Sequence, residues 1–155
     1  MGERRKGREL ALQALYQQEI TGELSDRALR LFWENFEGSE PVKEFALTLV
    51  RGVADRREEI DAVIGKVTQN WRLERLSKVD LNVLRLATYE LLGTPEVPAS
   101  VVINEAIEIA RRFGSQESSM FVNGVLDQVA AQLGVKPEAK GVTGGESTGR
   151  KSADE

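Results

Sequence analysis

Apolar side chains recur along this chain at spacings of three and four residues, segment after segment, and that periodicity predicts helices and no convincing strand. It is sharpest between Val101 and Leu133. Val102, Ala106, Ile109, Ala110 and Phe113 share one helical face that ends in an aromatic. Gly114 is expected to stop that helix in the left-handed conformation, and Ser115 or Ser118 to cap the next one by accepting hydrogen bonds from its free N–H groups. Val122, Val125, Leu126, Val129 and Leu133 then repeat the pattern up to Gly134. Gly124 sits inside that helix at a cost of about 1 kcal/mol relative to alanine, so something is expected to pack against its backbone.

The same reading extends upstream. A helix from about residue 4 or 7 to Thr21 places Ala11, Leu12 and Leu15 on one face, with Gly22 as its stop. Ser25 can cap a second, whose Leu29, Phe32, Trp33 and Phe36 are core positions; a base-stacking platform would need more basic neighbours. Gly38 and Ser39 break it, and Pro41 suits the first turn of a third. Val42, Phe45, Ala46, Leu49, Val50 and Val53 stay in phase with Ile60, Val63, Ile64 and Val67. They predict one long helix or two nearly collinear ones, weakest at Gly52 or in the solvated Asp55 to Glu59 run. Residues 69–76 lose the periodicity and form a joint between halves of about 1–69 and 76–134, with Trp71 as a wedge. Ser77 and Asp80 resemble a capping box opening a helix so widely apolar, from Val79 through Leu92, that it should be the most buried of its half. Gly93 and Pro95 end it, and Pro98 begins the next. Residues 135–155 lack periodicity and read as a disordered tail; their Gly144 to Ser152 stretch has the wrong spacing for a phosphate-binding loop. The fold class is all-α: six to seven helices in two packed halves, one domain over 1–134.

Composition narrows the chemistry. Cysteine and histidine are both absent, which removes disulfides, thiolate nucleophiles, the usual zinc ligands and the side chain that most often moves protons near neutral pH. No enzyme, metal or cofactor is expected. Glu105 and Glu108, near Arg111 and Arg112, read as surface ion pairing. No apolar run approaches the ~20 residues of a membrane span and no secretory signal is recognisable, so the expected compartment is the cytoplasm and no membrane partner is expected.

The net charge of −4 conceals an uneven distribution, because residues 1–8 carry Arg4, Arg5, Lys6 and Arg8 against Glu3 alone. Cations at a helix N-terminus oppose the helix dipole by about 0.3–1 kcal/mol each, so this cluster does not serve local stability. It is either a solubilising tail or an arm that neutralises phosphates, as arginine-rich segments do on RNA. Arg8 lies one turn before the core stripe begins and should project past its rim. Tyr16, near the edge of that stripe, is either a half-buried core tyrosine or a base contact.

Three fragments, Ile103-Asn104-Glu105-Ala106, Phe113-Gly114 and Phe121-Val122-Asn123-Gly124-Val125-Leu126-Asp127, together resemble the signature of the NusB family. Asn70-Trp71, Leu76, Val79-Asp80, Val83 to Ala87, Tyr89-Glu90-Leu91, Arg8, Ala11 and Leu15-Tyr16 add matches in family order, from about residue 4 to residue 133. The resemblance implies a NusB-like bundle and a transcription antitermination factor. Such a factor binds single-stranded boxA RNA together with NusE, a small-subunit ribosomal protein, and joins the RNA polymerase antitermination complex to suppress premature termination, notably in rRNA operons. Carried onto this chain, it implies RNA contacts by Arg4, Arg5, Lys6, Arg8, Tyr16, Phe113, Ser118 and Phe121. Phe113 and Phe121 read equally well as core aromatics at a helix corner. The resemblance points to Glu74 and Asp80 for the protein partner, alongside Glu117, which stands where the family often has aspartate. Lys6 and Gly7 interrupt what is commonly a fuller arginine run, which should weaken RNA affinity. The alternatives are a homodimeric interaction module that masks the arm and, more remotely, an RNA cytosine methyltransferase, which would need a further cofactor-binding domain.

Overall fold

A computed structural model describes residues 2–22, 25–34, 36, 38–69 and 73–135. These form seven α-helices and no strand: α1 Gly2–Thr21, α2 Asp26–Trp33, α3 Glu40–Asp55, α4 Arg57–Val67, α5 Lys78–Gly93, α6 Ala99–Phe113 and α7 Ser118–Leu133, with a 3-10 turn at Leu73–Arg75 before α5. None of the described helices is long and apolar enough to cross a membrane. Trp71 and the tail beyond residue 135 lie outside the described residues.

Local chemistry sets the boundaries. The hydroxyls of Ser25, Ser39 and Ser77 accept from the backbone N–H groups of Ala28, Val42 and Asp80 at 3.1, 3.4 and 3.0 Å, satisfying donors that the first turns of α2, α3 and α5 leave open. The Ser77–Asp80 box is only half formed, since Asp80 Oδ1 is buried with no hydrogen-bond partner. α3 and α4 are separate helices that part at Arg56, where φ is −115° and ψ 22°. Gly52 is no weak point; a Cβ there would overlap the Tyr89 ring. Arg56 and Glu59 pair across one turn at 2.9 Å, in keeping with a solvated face.

The corner between α6 and α7 corrects three expectations. Gly114 is extended (φ −99°, ψ −164°) and not left-handed; glycine is needed because a Cβ would overlap Ser118. Ser118 does not cap α7, whose N-cap is Glu117. The Ser118 hydroxyl turns back to accept from the Ser115 N–H at 2.9 Å. Gly124 is exposed, and a Cβ there would meet nothing within 4 Å, so no neighbour explains it.

α5 packs against α1, α3, α4, α6 and α7, and ten of its residues are buried. The two halves therefore share one core across α5, continuous from Leu10 to Ala130. Burying each large aliphatic side chain in it, such as Ile60, Leu84 or Leu126, contributes about 1.5–3 kcal/mol. Trp33 enters that core with its Nε1–H donating to the Leu10 carbonyl at 3.2 Å, so its one polar group is satisfied.

Candidate nucleic-acid interface

Helix α1 begins at Gly2, so the basic arm is its first two turns. Helical spacing sends the four cations in different directions. Arg8 does not project past the rim: it is buried at 5% exposure, and its Nε and Nη2 donate to the two Glu90 carboxylate oxygens at 2.8 and 2.9 Å. Burial is the strongest single influence and works against the Arg8 charge. The hydrogen bonds and opposite charge of Glu90, with the charge of Glu105, together outweigh it and hold the Arg8 pKa above the ordinary value. Arg5 makes the same two-toothed contact with Glu105 of α6, both bonds at 2.9 Å. That contact holds the Glu105 carboxyl below its ordinary pKa despite partial burial. Glu105 thus pairs across the fold with α1, not on the surface of α6 as expected, whereas Glu108 and Arg111 do pair within α6 at 2.7 Å.

Arg4 and Lys6 form no ion pair among the described residues. The Arg4 guanidinium carbon lies 4.2 Å from the centre of the Phe45 ring on α3, a cation–π contact worth about 0.5–1 kcal/mol at an exposed site. Gly7 makes that arrangement possible. A Cβ there would stand 2.5 Å from Phe45 Cδ2, so the interruption of the basic run is where the ring meets α1.

A third pair carries the arm to the α6–α7 corner. Glu9 accepts from Arg112 Nη1 at 2.9 and 3.0 Å, and the same guanidinium stands 5.1 Å from the centre of the Phe113 ring. Phe113 and Phe121 are half-buried and packed against the core. Ser118 is 2% exposed with its hydroxyl engaged by Ser115; it shapes the corner from beneath and does not offer its side chain to a ligand. Tyr16 is 40% exposed, more open than a core tyrosine.

The acidic residues do not gather in one place. Arg112 reaches Glu9 on α1, while Arg85 of α5 reaches Glu19 at 3.0 Å, ten residues further along. At 1.5 Å per residue those points are about 15 Å apart. Arg8 pairs with Glu90 and Glu19 with Arg85, so α5 runs back along α1 and Asp80 lies toward the Glu19 end. Glu117, exposed at the corner and accepting from the Ser115 hydroxyl at 3.4 Å, lies toward the other end. Glu74 is exposed in the 3-10 turn before α5.

Sequence spacing gave no sign of Phe45, Glu9 or Glu90 as parts of this surface. The one available signal was a glycine inside an otherwise favourable helix, at position 7.

The NusB family model matches residues 5–131. A transcription antitermination protein NusB from Anaeromyxobacter dehalogenans is 53% identical over 139 residues, covering 89% of this chain and 96% of its own length. Another, from Anaeromyxobacter sp., is 55% identical over 138 residues, with 88% and 94% covered. Among solved structures, T. maritima NusB is similar at 41% identity and a TM-score of 0.74, over 83% of this chain and 91% of that one. A crystal structure of the antitermination factors NusB and NusE in complex with dsRNA is similar at 27% identity and a TM-score of 0.75, over 85% of this chain and 98% of that one.

Proposed function

Because this chain belongs to the NusB family, we propose that it acts in the cytoplasm, without catalysis, as a transcription antitermination factor that binds single-stranded boxA RNA together with NusE. Within the RNA polymerase antitermination complex it suppresses premature termination, notably in rRNA operons. The observation that carries this reading is an arm whose fixed and free cations are separated. Arg5, Arg8 and Glu9 tie the first turns of α1 to α5 and α6, leaving Arg4 and Lys6 to meet phosphates. Phosphate neutralisation supplies affinity, and the rings of Phe113, Phe121 and Tyr16 receive unstacked bases. Arg5 offers RNA only the edge of its guanidinium that Glu105 leaves free, and Arg8 and Ser118 shape the surface without touching the ligand. Glu74 and Asp80, away from the corner, serve the protein partner, with Glu117 as a separate contact at the corner.

The test is fluorescence anisotropy of a labelled boxA-type RNA and a scrambled control, with and without NusE, at two salt concentrations. Preference for the boxA-type RNA, strengthened by NusE, is the expected result. Equal, weak and salt-sensitive binding to both RNAs, unchanged by NusE, would overturn the reading in favour of a protein-interaction module.

A further inference from the structure

Phe45 enters the sequence as one more apolar position of α3, yet the fold gives it a place apart. Its ring lies against α1 where Gly7 makes room, half-buried, and carries the exposed guanidinium of Arg4 at 4.2 Å. With Glu3, Pro41 and Val42 this pair lines an open cleft of about 240 Å³ between the first turns of α1 and α3.

The lining has the chemistry of a nucleobase site. Pro41, Val42 and Phe45 give an apolar wall, and the exposed Arg4 places its guanidinium over the ring. Unstacked bases are held by aromatic and guanidinium planes of this kind, which tolerate any base because every base has a π-face. Glu3 adds a carboxylate acceptor, which favours a base carrying an exocyclic amino group. An arginine whose face meets a base still has N–H edges for the adjoining phosphate.

We propose that the Arg4–Phe45 cleft is a nucleotide subsite that takes one unstacked base of a bound single-stranded RNA. The base stacks on the Arg4 guanidinium, with Phe45 behind it. This rests on the RNA-binding reading above and adds to it a contact on α3, apart from the α6–α7 corner.

The experiment scans single abasic positions through the labelled boxA-type RNA, titrated with the wild-type chain, Phe45→Leu and Arg4→Lys. Leucine keeps an apolar side chain without a π-face, and lysine keeps the charge without the plane. One abasic position should weaken wild-type binding by roughly five-fold or more. The same position should matter little to either variant, while association with NusE is unchanged. Arg4 is exposed, so its variant keeps the test decisive if Phe45→Leu folds poorly. Abasic and protein effects that simply add, at every position, would overturn the subsite and leave the RNA-binding reading intact. Loss of NusE binding in place of RNA binding would also overturn it, assigning the cleft to a protein side chain. No binding of intact RNA by the wild type would overturn both readings.

Discussion

Arg4 and Arg8 are one helical turn apart, carry the same charge and sit in opposite environments. A buried ion pair gains little over well-packed apolar residues, but removing one partner strands the other charge in a low dielectric and costs about 3–5 kcal/mol. Arg8→Ala should therefore lower unfolding stability by that amount in urea titrations, whereas Arg8→Met combined with Glu90→Leu should recover most of it. A cost below about 1 kcal/mol for the single change would show that the pair does not hold the arm. Glu105 gives a pH signature. Its folded pKa is depressed below the ordinary 4.5, chiefly by the hydrogen bonds from Arg5. The stability it contributes is fully present above about pH 4.5 and is lost as pH falls through the lower folded value, where the folded form at last takes up the proton. Glu105→Gln should flatten the fall of the urea midpoint with pH in that acidic window, and an identical pH profile in the variant would refute the coupling. Periodicity placed Arg8 correctly on the core stripe but could not reveal a partner 82 residues away. Glu105, likewise, was legible as part of a signature and illegible as the partner of Arg5.

At the scale of elements, most starts and stops were legible because they depend on near neighbours in sequence. Ser25, Pro41, Ser77 and Gly134 sit at their helix ends as their chemistry requires, Gly134 at φ 72°. Interior glycines were not legible, since the reason for Gly7 and Gly52 lies on another element and no neighbour accounts for Gly124. Gly7 and Gly124 form a matched pair for testing this. Either replacement by alanine gains up to about 1 kcal/mol in helix propensity. Gly124→Ala should realise that gain, its Cβ meeting open space, and raise the melting temperature. Gly7→Ala should forfeit it and lower the melting temperature, because the Phe45 ring must move away from α1. Equal shifts in the same direction would mean that the ring yields without cost.

For the whole molecule, the three pairs made by Arg5, Arg8 and Glu9 at the start of α1 join the first half to α5 and α6 of the second, so the arm cannot be deleted as though it were a tail. Removing residues 2–8 would take away Arg5 and Arg8 and expose Glu90 and Glu105 together, confounding RNA affinity with loss of packing. The halves were legible as a pattern; their union through charged pairs and a shared α5 was not. The same pairs fix what a salt titration should read. Four arm cations contacting single-stranded RNA would steepen log Kd against log salt by about 2.8, at roughly 0.7 per phosphate neutralised. With Arg5 and Arg8 cancelled by Glu105 and Glu90, the arm should contribute about 1.4, from Arg4 and Lys6. Alanine at Arg4 and Lys6 together should remove that amount while lowering unfolding stability by no more than about 1 kcal/mol, the worth of the Arg4–Phe45 contact, since neither residue is ion-paired among the described residues. If the double variant keeps the wild-type slope, and only a further change at Arg5 reduces it, then RNA displaces Glu105 and the α1 pairs open on binding.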